Sequence, residues 1–125
     1  MGDNWTPLFI SCGSGHEGVA RLLLQHGAAV DKAGQGGETP LFKACFGGHE
    51  GMAGLLLQHG AGVDVRSNKN VTPLNSACEN GHESTALLLV RAGADPDIKD
   101  DWGDTPRSTA TAKPKGLTSV LAAMQ

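Results

Sequence analysis

Three cysteines and three of the five histidines fall in one register: Cys12 with His16, Cys45 with His49 and Cys78 with His82. Thiolate and imidazole are zinc ligands, and a cysteine beside a histidine is a candidate nucleophile and base. Asp64 near His59 is a further acid–base candidate. Each Cys and His pair recurs after 33 residues, so each belongs to its own structural unit. A zinc site needs four ligands within about 2.3 Å of one ion, whereas helices of stacked units lie roughly 8–10 Å apart. Disulfides between copies are excluded on similar grounds, since they need Cα atoms closer than about 7 Å. A residue that repeats along an array serves the array. The cysteines are therefore read as small buried core residues, His16, His49 and His82 as helix-opening residues, and His26 and His59 as caps at helix C-termini, where positive charge is favoured. No catalytic, cofactor-binding or metal-binding residue is assigned, and the chain is read as non-catalytic.

The elements that carry these residues are legible in the stretch Gly37 to Asp64. Thr39 followed by Pro40 opens a helix, because the hydroxyl accepts from an amide of the first turn and proline sits where its missing N–H costs nothing. Gly47-Gly48 closes that helix. A second begins near His49-Glu50, carries Met52, Leu55 and Leu56 on one face, and stops at Gly60. Helices below about 12–15 residues are marginal alone, so neighbours must hold them. Thr-Pro recurs at Thr6-Pro7, Thr39-Pro40, Thr72-Pro73 and Thr105-Pro106, and Gly-His-Glu at Gly15, Gly48 and Gly81, always at a spacing of 33. Such a period predicts a solenoid whose units bury their apolar faces only by stacking.

With Thr6-Pro7-Leu8, Thr39-Pro40-Leu41 and Thr72-Pro73-Leu74, the Gly-His pairs, and Leu23-Leu24 to Ala28 and Leu56-Leu57 to Ala61, nearly the whole chain resembles the ankyrin-repeat family. It departs from the family where a histidine usually follows Thr-Pro-Leu, since Phe9, Phe42 and Asn75 stand there. The resemblance implies an all-α fold: an ankyrin-repeat α-solenoid of helix-turn-helix units with hairpin-like loops. Four repeats, 1–33, 34–66, 67–99 and 100–125, form a single domain. In the last, Arg107 replaces the leucine, Pro114-Lys115 stands where Gly-His is expected, and the helix from Leu117 to Met124 has one apolar side, so it reads as a truncated C-terminal cap.

Positions that do not repeat are free of this frame. Trp5, Glu38, Val71 and Asp104 share one hairpin slot, Lys69 and Trp102 another, and Asn68 and Asp101 a third; Phe46, Glu79 and Asn80 lie at the ends of first helices. The resemblance implies that slots like these line a concave groove that holds a protein partner. Both tryptophans of the chain fall among them, and Trp is enriched in interface hot spots. The chain is thus read as a protein–protein interaction module or adaptor. A kinase-inhibitor-like ankyrin protein and a targeting fragment of a larger enzyme are the alternatives.

Length and charge agree with this reading. A chain of 125 residues is one domain by the usual prior. Its 18 glycines are in excess of the usual share of about 7%, but many occupy turn slots of the repeat. The formal charge of −3, with both signs interspersed, provides no basic stripe for nucleic acid. No stretch suits a membrane span or a signal sequence, and a cytoplasmic or nuclear location is expected. Nothing precedes the first repeat to cover Leu8, Ile10, Val19, Leu22 and Leu23. A fragment of a longer array explains this; a monomer is expected, with self-association through that face as the alternative. Gly18, Gly51 and Gly54 should each cost roughly 1 kcal/mol inside helices, and the third repeat, without them, should pack best.

Overall fold

The computed structural model describes residues 6–112 and 117–125. Among them eight α-helices form four pairs: α1 (Pro7–Ser14) and α2 (Glu17–Gln25), α3 (Pro40–Phe46) and α4 (Glu50–Gln58), α5 (Pro73–Glu79) and α6 (Glu83–Arg91), α7 (Pro106–Ala112) and α8 (Thr118–Ala123). No strand occurs among the described residues, and the all-α solenoid is the observed architecture. The first helices open as the Thr-Pro pairs predict. Thr6, Thr39, Thr72 and Thr105 each accept at Oγ1 from the amide three residues on, at 3.1, 3.2, 3.2 and 3.0 Å. At the far ends of α2 and α4, Nδ1 of His26 donates to Leu22 O at 2.8 Å and that of His59 to Leu55 O at 3.1 Å, so both histidines do cap.

First helices stack on first helices, α1 on α3 on α5 on α7, and second helices stack likewise as a second layer. The core lies between the layers. Leu8, Leu41 and Leu74, Cys12, Cys45 and Cys78, and Ala20, Ala53 and Ala86 are buried in it, each set one repeat apart. In α8 and its flanks Leu117, Val120 and Met124 turn inward while Thr118, Ser119 and Ala122 face solvent, which fits the expected cap. Pro114-Lys115 and Trp5 lie outside the described residues.

Two expectations are corrected. Leu8 does not belong to the uncovered N-terminal face: it shares a side of α1 with Cys12, four residues on, and both turn into the core. Ile10, Val19 and Leu22 are the exposed members of that face. The third repeat is also not the best buried throughout. Outer helix α4 buries Met52, Ala53, Leu55 and Leu56, whereas α6 leaves Leu87 and Leu88 half-exposed.

Candidate partner-binding surface

Between helix pairs the chain turns through tight hairpins, closed by Gly34 N to Glu38 O, Ser67 N to Val71 O and Asp100 N to Asp104 O at 2.8–2.9 Å. Neighbouring hairpins are tied by Asn68 N to Gly36 O at 2.8 Å and Asp101 N to Lys69 O at 3.0 Å. Each hairpin is also held from within. Ser67 Oγ accepts from Lys69 and Val71 amides, and Asp100 Oδ1 accepts from Trp102 and Asp104 amides. The slot after Thr-Pro-Leu clamps two of the hairpins from the preceding first helix, by different chemistry in each. Phe9 lies flat enough on Gly34 that a Cβ there would meet its ring at 3.2 Å, and Asn75 Nδ2 donates to Asp100 Oδ2 at 3.2 Å.

Where first helices meet, the hairpins and helices enclose three depressions at equivalent places along the stack. The first, about 230 Å³, is lined by Phe9, Ile10, Gly13, Ser14 and Lys43. The second, about 110 Å³, brings together Phe42, Phe46, Val71, Ser76, Glu79 and Asn80. The third, about 290 Å³, joins Glu79 to Asp104, Ser108, Thr109 and Ala112. Five of the residues singled out in the sequence, Phe46, Val71, Glu79, Asn80 and Asp104, thus share two adjoining hollows. Trp102 stands apart on the last hairpin with 68% of its surface exposed, and Phe46 with 52%. Lys69 is exposed; Asp101 is exposed too, but its carboxylate accepts from Asn70 Nδ2 at 2.8 Å. Glu38 is half-buried at its hairpin's end, and Asn68 is engaged in the junction between hairpins. Lys43 Nζ lies over the rings of Phe9 and Phe46, 5.9 and 5.4 Å from their centroids, and Glu79 and Asp104 line the third depression.

The repeated Cys and His residues build the frame. All three thiols are buried and free, and burial pushes those of Cys12 and Cys78 up to about 12 and that of Cys45 further still. A thiol held protonated at neutral pH is a poor nucleophile and ligand. Among the described residues no group of three His, Cys, Asp or Glu side chains is placed to hold a metal ion. His16, His49 and His82 stand at the N-cap positions that open α2, α4 and α6, as expected, although their side chains make no cap hydrogen bond. The rings of His49 and His82 lie on the turn of the preceding repeat: His82 Nε2 donates to Phe46 O at 3.1 Å, and a Cβ on Gly15 would meet His49 Cε1 at 2.9 Å and one on Gly48 His82 Nδ1 at 2.5 Å. Gly-His therefore recurs as glycine making room for the next repeat's imidazole. Asp31 and Asp64 join repeats as well, accepting from the amides of Gly62 and Asp95. Burial raises the Asp64 carboxyl above the usual aspartate value, against the lowering effect of that amide.

The family model described as Ankyrin repeats (3 copies) matches residues 1–67 and again 30–100. No curated protein matches the chain. The family match spans most of the sequence, and the chain belongs to the ankyrin-repeat family. Ankyrin repeats are generally protein–protein interaction modules, and the family is typically non-catalytic. No helix among the described residues is long and apolar enough to cross a membrane.

Proposed function

We propose that the chain is a non-catalytic adaptor whose four repeats act as one domain and hold a protein partner along the first helices and hairpin tips. The observation that carries this reading is the line of three open depressions on that face, one of them lined by the exposed ring of Phe46, with the exposed ring of Trp102 on the last hairpin. Exposed aromatics beside hollows are the usual anchors of an interface. The hairpins are fixed by hydrogen bonds within and between repeats, so little conformational freedom is left to lose on association.

A partner recovered by affinity capture on the full chain tests the assignment. Trp102→Ala and Phe46→Ala should each weaken its binding, by about 2 kcal/mol or more at a hot spot, with the melting temperature unchanged. Trp5→Ala extends the test to the residue that precedes Glu38 by one period of 33. Wild-type affinity in these variants, with loss of binding in Arg21→Glu on the second-helix side, would place the partner on the opposite face.

A further inference from the structure

The three depressions are one site at three successive junctions, and the first already contains a cation of the chain itself. There Lys43 reaches from α3 across the junction and sets Nζ over Phe9 and Phe46. Its stem passes so close to α1 that a Cβ at Gly13 would meet Lys43 Cγ and Cε at 3.2 Å. One period later the slots of Phe9, Lys43 and Phe46 are filled by Phe42, Ser76 and Glu79. The aromatic floor is kept. The long cationic side chain is cut back to a serine, and the second ring becomes a carboxylate. These three residues line a hollow of about 110 Å³ together with Phe46, Val71 and Asn80, and no cationic side chain of the described residues lines it.

Two features give the hollow a chemical preference. Ser76 is 4% exposed, and its Oγ has no hydrogen-bond partner, a state that buried hydroxyls seldom occupy. Among the described residues Glu79, in the wall of the hollow, forms no ion pair. Aromatic floor, unpaired hydroxyl and unpaired carboxylate are what a desolvated ammonium or guanidinium group requires. Lys43 lines the neighbouring depression, which leaves Glu79 as the charged side chain that lines this one.

We propose, building on the assignment of this face to partner binding, that the depression between α3 and α5 receives a cationic side chain from an extended partner segment. That lysine or arginine takes the place that Lys43 takes one repeat earlier. Its stem lies between Phe46 and Val71, and its head donates to Ser76 Oγ and Glu79.

A random dodecapeptide library displayed on phage and selected on the full chain tests this, with selected peptides resynthesised and their affinity read by fluorescence anisotropy. Selected peptides should share a fixed basic position, and norleucine in its place should reduce affinity about tenfold. Glu79→Gln should do the same. Ser76→Lys should block binding by placing the chain's own cation beside Glu79, while circular dichroism reports an intact fold; if that variant unfolds, Glu79→Gln decides alone. Peptides that require Phe46 and Trp102 but tolerate loss of every basic residue, and Glu79→Gln with them, would overturn the cation site and leave the partner-binding face standing. Peptides indifferent to all of these and lost only in Arg21→Glu would overturn the face itself.

Discussion

Arg107 occupies the slot that Leu8, Leu41 and Leu74 fill in the earlier repeats, and it turns outward to Asp97, with Nε and Nη2 at 2.9 and 3.1 Å from the two carboxylate oxygens. A leucine here would have no fifth repeat to cover it among the described residues, and the guanidinium instead ties the start of the last repeat to the loop before it. Its hydrogen bond holds the Asp97 carboxyl below the ordinary aspartate value of 3.8. For a depressed carboxyl the stabilisation is present above the ordinary value and is lost as pH falls through the lowered one. Arg107→Ala should therefore melt below wild type at neutral pH, and the gap should close as the pH falls below 3.8. A gap unchanged in acid would show that the pair contributes nothing through charge. The sequence identified Arg107 as a departure from the repeat, but not its partner, because Asp97 belongs to a slot in which Asp31 and Asp64 accept from backbone amides instead.

At the scale of the helix, the opening and closing signals act over three or four residues, and these were fully legible. Thr-Pro starts and histidine-capped ends form as the local sequence dictates. Side chains that reach the next repeat were not legible, since His82 meets Phe46 across 36 residues and Asp31 meets Gly62 across 31, a register set by stacking alone. The glycines inside second helices separate into kinds. A Cβ at Gly18 would meet nothing within 4 Å and one at Gly54 only Leu88 Cδ2 at 4.0 Å, so neither is demanded by packing. Gly18→Ala and Gly54→Ala should each raise unfolding free energy in urea by up to about 1 kcal/mol. Gly60 ends α4 at φ +87°, where a side chain is strained. Gly60→Val should lower stability by about 1–3 kcal/mol, and equal effects at helical and terminal glycines would refute this division.

Across the whole molecule, stability follows neighbours. The first repeat stacks on one side only among the described residues, with Ile10, Val19 and Leu22 at least half exposed, whereas the middle repeats are flanked on both sides. Hydrogen exchange should be fastest in α1 and α2 and slowest in α3 and α5, and uniform protection would contradict stacking as the source of stability. The solenoid and its array of variable slots were readable from one period of 33 residues. The contacts of Lys43 were not, because only the stacking of α3 on α1 places its Nζ over the rings of Phe9 and Phe46. The central claim, that a partner is held along the first helices and hairpins, is tested most directly by photo-crosslinking in cells. Benzoylphenylalanine replaces Phe46 or Trp102 on that face and, as the contrast, Gln58 on the outer layer. Binding along the first helices predicts the same crosslinked protein from positions 46 and 102 and none from 58; an adduct from position 58 alone would contradict it.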